Sequence, residues 1–109
     1  WFRRGDDGRF LWPGFGENSR VIAWICARLA GQVGADQTPV GLVPAAGDLD
    51  VAGLDVPAAD LAELFAIDPA AWTAELDELE AYFAGFGDKL PTELPQRLQQ
   101  LRAALTAAH

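Results

Sequence analysis

The segment from Arg9 to Arg20 contains the residues of this chain best suited to bind a ligand. Phe10, Trp12 and Phe15 lie within six positions, and both the strand period and the helical period are interrupted by Pro13 and Gly14 between them and by Gly16 directly after them. Glycine allows the backbone to approach a ligand closely, and proline fixes one backbone dihedral. The pattern therefore predicts a shaped aromatic turn, which can form a cage around a flat ligand.

Asn18 follows this turn and stands at the head of an apolar run with helical spacing. Its side chain can cap the helix, or its amide can face whatever the aromatic residues hold, because an amide offers both a donor and an acceptor. Both roles are compatible if the backbone caps the helix and the side chain reads the ligand. The aromatic residues have an alternative role of their own, as a small apolar core beneath a loop.

Two stretches carry a family resemblance: Trp1-Phe2-Arg3 and the continuous run from Phe10 to Val21. Together they resemble GTP-dependent phosphoenolpyruvate carboxykinase, with weaker agreement in Thr38–Pro44 and Glu63–Phe65. The resemblance implies that the chain is a C-terminal piece of a larger α/β enzyme and carries its guanine pocket. It assigns the guanine cage to three phenylalanines and the reading of the base edge to an asparagine: Phe2, Phe10, Phe15 and Asn18. Trp12 is expected to pack behind the pocket.

The resemblance also implies the reaction of the intact enzyme. Oxaloacetate is decarboxylated with phosphoryl transfer from GTP, giving phosphoenolpyruvate, CO₂ and GDP in gluconeogenesis, with Mn²⁺ and Mg²⁺ as metals. This sequence has no Gly-x-x-x-x-Gly-Lys-Ser/Thr phosphate loop and no cluster of metal-binding residue types. We therefore expect the metal ligands and catalytic residues to lie in the remainder of the parent enzyme, and the isolated chain to be inactive.

Charge and composition restrict the other function classes. The formal net charge is −8, and residues 29–109 hold three basic against thirteen acidic residues, which argues against nucleic-acid binding. Cys26 is the only cysteine, so an internal disulfide is excluded, and no apolar run is long enough to cross a bilayer. We expect a cytoplasmic protein. The absence of methionine agrees with a trimmed or partial chain, and self-association through surface left bare is possible.

The elements around the aromatic turn predict a mainly α, small α+β fold. We expect an N-terminal β-hairpin turning at Gly5–Gly8, which brings Phe2 alongside Phe10. Four helices are predicted: one at Asn18–Leu29, and others starting near Pro57, Asp68 and Thr92, the last two pairing antiparallel. Residues 32–56 read as one long loop, strand-like only at 40–43. The whole is expected to be a single fragment, 1–109, with the pocket in 1–20 and a helical remainder in 21–109.

The charged residues have ordinary roles in this interpretation. The arginines near the turn, Arg3, Arg4, Arg9 and Arg20, are expected to be solvated or paired with nearby acids. The acids between Glu75 and Glu80 are expected to form a solvated helix face, and His109, at the chain end, is a poor catalytic candidate. A helical protein–protein interaction module with an acidic surface is therefore the alternative function.

Overall fold

A computed structural model describes residues 2–108, and the predictions that involve Trp1 and His109 lie outside these residues. The α-helices are α1 Asn18–Leu29, α2 Ala58–Phe65, α3 Pro69–Ala84 and α4 Glu93–Ala107. Strands β1 Asp36–Thr38 and β2 Gly41–Val43 form a two-stranded sheet, and short 3₁₀ turns cover Phe15–Glu17 and Gly87–Lys89. The prediction of a mainly α, small α+β fold is confirmed. Within residues 2–108, no helix combines the length and the apolar character needed to cross a membrane.

The chain divides into two compact units. One comprises Trp1–Thr38 and Leu42–Ala66, and the other comprises Pro39–Gly41 and Ile67–His109. The expected organisation as a single fragment, with the pocket in residues 1–20, stays a prediction.

The core of the first unit is built around two tryptophans. Trp12 from the aromatic turn, Trp24 from α1 and Leu49 are buried together. Val21 lies three residues before Trp24 and packs on the same cluster, as the helical period requires. Leu49 belongs to the stretch 32–56, which was predicted as one long loop. Its side chain is nevertheless part of the core of the first unit, and the stretch also contains β1, whose polar sequence shows no strand alternation.

The N-terminal reversal contains an antiparallel bridge between Arg4 and Phe10. The Gly5 amide donates to the Arg9 carbonyl at 2.9 Å, and the Leu11 amide donates to the Arg3 carbonyl at 3.1 Å. A glycine at position 8 has a φ of +78°, which the tight turn requires. A two-stranded ribbon as short as this one is only marginally stable by itself. Its position therefore depends on contacts with the rest of its unit.

The second unit is an antiparallel pair of α3 and α4. Ala84 at the end of α3 lies near Pro95 at the start of α4, and Asp77, earlier in α3, pairs with Arg102, later in α4. The two helices therefore run antiparallel, as predicted. The buried residues of this pair are Leu76, Leu98 and Leu105.

The two helices of the second unit begin differently. Asp68 caps α3 as predicted, since its Oδ1 accepts from the Ala70 amide at 2.9 Å. Thr92 occupies the N-cap position of α4, but its side chain makes no capping hydrogen bond and its backbone is already helical. The expected acidic face of α3 is exposed, yet Asp77 and Glu80 both pair with Arg102 of α4, at 2.8 and 3.2 Å.

Candidate functional site

Phe2 and Phe10 form an exposed aromatic pair on the two arms of the reversal. Their ring centroids are 6.2 Å apart and their planes are tilted by 56°. The Arg4 guanidinium lies 4.4 Å from the Phe10 centroid, a distance suited to a cation–π contact. The prediction that the reversal brings Phe2 alongside Phe10 is confirmed. The rings remain 71% and 44% exposed, so they have surface left for a ligand.

Phe15 opens the 3₁₀ turn that ends the aromatic segment. Gly14 before it has a φ of +122°, a backbone conformation that few other residues adopt, and the Glu17 amide donates to the Gly14 carbonyl. The Phe15 side chain is 74% exposed, whereas Trp12 is only 5% exposed. Trp12 therefore supports the turn from within the core, as predicted. The phenylalanines are too exposed to form a small core beneath a loop.

Asn18 does not cap α1, contrary to one of its two predicted roles. The N-cap position belongs to Glu17, and Asn18 is the first helical residue, with φ −63° and ψ −17°. The reason is the 3₁₀ turn, which runs directly into α1 and keeps the backbone of Asn18 helical instead of extended. Its side chain is half-buried and faces a cavity. The second role, contact with a ligand, stays a prediction.

The cavity beside Asn18 has a volume of about 150 Å³. Its lining is mainly apolar and consists of Trp12, Asn18, Val21, Leu49, Leu64 and Phe65. The buried Trp12 Nε1–H has no acceptor among residues 2–108. None of the three predicted cage phenylalanines lines this cavity. The four predicted site residues thus belong to one unit, and Asn18 is the one among them that lines this cavity.

Sequence reasoning missed the contribution of α2 to this cavity. Leu64 and Phe65 belong to a predicted helix and to a segment with weak family resemblance, but nothing in their spacing connects them with the aromatic turn. Leu49 lies in a stretch without periodicity, so it carried no signal at all.

Two arginines connect the reversal to α2. Arg9 Nη1 lies 2.7 Å from Asp60 Oδ2, and Arg3 Nη1 donates to the carbonyls of Leu64 and Ala66 at 3.4 and 3.2 Å. The hydrogen bond from Arg9 holds the pKa of Asp60 below its ordinary value, and the positive charge of Arg9 adds to this effect, while burial of the carboxyl opposes it. The predicted pairing with acids is confirmed for Arg9, whereas Arg3 donates to backbone carbonyls instead.

Arg20, on the first turn of α1, is also paired. Its Nε lies 2.6 Å from Glu17 Oε2, and its Nη1 donates to the Asp50 carbonyl at 3.1 Å. Within the described part of the chain, no three His, Cys, Asp or Glu residues come together as metal ligands. The described residues therefore do not fit the Mn²⁺ or Mg²⁺ that the resemblance implies for the intact enzyme.

Comparisons with known proteins agree with one another. Residues 1–104 match the family model of the phosphoenolpyruvate carboxykinase C-terminal P-loop domain. Over nearly its whole length the chain is 47% identical to phosphoenolpyruvate carboxykinase [GTP] of Corynebacterium efficiens, 45% to that of Corynebacterium glutamicum and 48% to that of Neocallimastix frontalis.

The matches cover very different fractions of this chain and of its relatives. They cover 99–100% of this chain but only 18% of each relative, so the chain spans about a fifth of the length of the curated relatives it matches. A match across nearly the whole chain, at this identity, shows that the chain belongs to the GTP-dependent phosphoenolpyruvate carboxykinase family.

Proposed function

We propose that this chain forms the guanine-binding part of a GTP-dependent phosphoenolpyruvate carboxykinase. The intact enzyme would convert oxaloacetate and GTP into phosphoenolpyruvate, CO₂ and GDP in the cytoplasm. The observation that supports this most is the contrast in exposure on the aromatic turn, where Trp12 is buried while Phe2, Phe10 and Phe15 present their rings outward. The same contrast weighs against an interaction module in which this turn serves only as packing.

The phenylalanines supply binding energy and the asparagine supplies selectivity. Stacking of a base on an aromatic ring contributes roughly 1–3 kcal/mol, but every base has a flat face, so stacking alone does not select guanine. Guanine presents the O6 acceptor beside the N1–H and N2–H donors. The amide of Asn18 has the complementary donor and acceptor, and its side chain is not used as a helix cap.

The phosphate and metal chemistry belongs to the remainder of the enzyme. Arg3, Arg9 and Arg20 are engaged with carbonyls or carboxylates of this chain, which leaves them poorly placed to receive a triphosphate. A phosphate loop and the Mn²⁺ and Mg²⁺ ligands would come from the part of the relatives that this chain does not match. We therefore expect no turnover from the chain by itself.

The outer face of α1 is the surface we assign to that remainder. Ile22, Ile25 and Leu29 are exposed and follow one another at helical spacing, on the side away from the buried Trp24. An exposed apolar stripe of this kind is costly in water. The relatives carry more than four-fifths of their length beyond the matched region, so this stripe would be covered by the preceding part of the enzyme.

A base-selectivity titration tests the proposal. GMP, which lacks the triphosphate, should shift the amide resonances of the aromatic turn more strongly than AMP at equal concentration. Because only stacking and one edge contact remain, we expect millimolar affinity, on the order of 4 kcal/mol of binding free energy. Equal shifts with GMP and AMP would contradict the role of Asn18, and no shift with either would contradict the cage.

A further inference from the structure

The two arms of the aromatic reversal are each anchored on α2 by an arginine next to a cage phenylalanine. Arg3 follows Phe2 on one arm, and Arg9 precedes Phe10 on the other. Their partners lie 51 to 63 positions further along the chain. These side chains thus connect the reversal to a helix that has no part in the guanine cage itself.

Asp60 is the partner of Arg9 and the one charged side chain buried within residues 2–108, with 8% of its surface exposed. It lies in the first turn of α2, and its Oδ2 accepts from Arg9 Nη1 at 2.7 Å. A buried carboxylate is costly unless it is paired. Asp60 therefore favours the arrangement of the reversal that places Arg9 within reach.

The other end of α2 holds the other arm. Arg3 Nη1 donates to the carbonyls of Leu64 and Ala66, at the C-terminus of the helix. The last carbonyls of a helix accept no hydrogen bond from an amide of the same helix, and the helix dipole makes that end attractive to a cation. The first turn of α2 fixes one arm and its last turn fixes the other.

We propose that Asp60 is a positioning residue for the guanine cage, acting through Arg9 to hold Phe10 opposite Phe2. The inference rests on the proposed function. A short two-stranded reversal has little stability of its own, so its hydrogen bonds with α2 contribute to the spacing of the two rings. Loss of the anchor leaves both aromatic faces intact but removes their preorganisation, which weakens binding of the base.

The test compares Asp60→Asn with Arg9→Ala in the full 109-residue chain. Hydrogen exchange of the Gly5 and Leu11 amides reports the order of the reversal, because both are bonded across it. In both variants we expect faster exchange at these amides and a GMP dissociation constant raised about two- to tenfold, the range for one aromatic side chain that must be ordered on binding. Since Arg9 is largely exposed, its substitution keeps the test valid if Asp60→Asn fails to fold.

A rescue and a control complete the experiment. Arg9→Lys keeps the positive charge and should recover most of the exchange protection and affinity. Arg102→Ala removes comparable ion pairs with Asp77 and Glu80 in the second unit and should change neither readout.

The outcomes separate this inference from the proposed function. Unchanged exchange, or faster exchange with an unchanged GMP dissociation constant, would overturn the positioning role. Absence of GMP binding by the unmodified chain would instead refute the proposed function, and the exchange data would still decide whether Asp60 orders the reversal.

Discussion

Substitution of Phe15 by alanine separates a binding role from a packing role. The side chain is 74% exposed, so only about a quarter of it is buried. Complete burial of a phenylalanine is worth about 1.5–3 kcal/mol, so its removal should lower the free energy of unfolding by less than about 1 kcal/mol. Leu76→Ala, at a residue 1% exposed, should cost about 2–5 kcal/mol.

The effect of Phe15→Ala on nucleotide binding should be larger. Loss of one stacking face removes roughly 1–3 kcal/mol, which raises the GMP dissociation constant about five- to 150-fold. Chemical-shift titration measures the affinity, and urea unfolding measures the stability of the same samples. Phe86→Ala is a matched control, because this phenylalanine is 45% exposed and lies in the second unit. A loss of several kcal/mol of stability in Phe15→Ala, or an unchanged affinity for GMP, would refute the reasoning.

Three further predictions follow from the same contacts. Asn18→Ala should remove the preference for GMP over AMP, a loss of about 1 kcal/mol of binding free energy for one hydrogen-bonding side chain. The stability of the chain should be unchanged, because Asn18 caps no helix. A preference for GMP that survives in the titration would show that another group reads the base. The pKa of Asp60 is lowered in the folded state, so its contribution to stability is present above the unfolded pKa of about 3.9 and is lost as the pH falls through the folded value. The difference in unfolding free energy between the unmodified chain and Asp60→Asn should therefore be constant from pH 7 to about pH 4 and shrink below that. Urea unfolding at a series of pH values measures this difference, and a decrease near neutral pH would contradict the prediction. Leu29→Glu places a charge on the exposed stripe of α1 and should abolish binding to the Corynebacterium glutamicum enzyme produced without its matched C-terminal region. Leu79→Glu, at an exposed leucine of α3, is the control and should leave this binding intact. Equal amounts of both variants in a pull-down would argue against the assigned surface.

The elements that could be predicted from the sequence are those with local signals. Asp68 followed by Pro69 marks the start of α3, because a capping carboxylate and a proline at the first helical position act on neighbouring amides. The end of α1 is set by Gly31, which has a φ of +71°. Asn18 has the same local signature as Asp68, yet it caps nothing, since a 3₁₀ turn already supplies the helical backbone before it. The helix start predicted at Asn18 is therefore correct, but a capping hydrogen bond forms only where the backbone of the capping residue is extended, as at Asp68.

The parts that could not be predicted depend on contacts between distant residues. Asp60 was recognisable as an acid in the first turn of a helix, but its pairing with Arg9 depends on how α2 lies against the reversal. Leu49 is buried, but it lies in a stretch whose apolar residues follow neither the strand period nor the helical period, so its burial could not be inferred from the sequence. The aromatic residues of the turn were identified by type and spacing, but their spacing does not separate the buried Trp12 from the exposed phenylalanines, and that distinction came from the family resemblance.

Trp12 and the phenylalanines have different roles, because the requirements for stability and for binding a base are in conflict. A ring that binds a base must keep its face exposed, so it contributes little to the core that fixes its position. Trp12 resolves this conflict for Phe15, because burial of its indole fixes the turn that leads into Phe15. Phe2 and Phe10 lie on the two arms of the reversal, which Arg3 and Arg9 join to α2. In the proposed cage, the rings are ordered by residues that do not touch the base, so substitutions in α2 should weaken guanine binding without changing any group that contacts it.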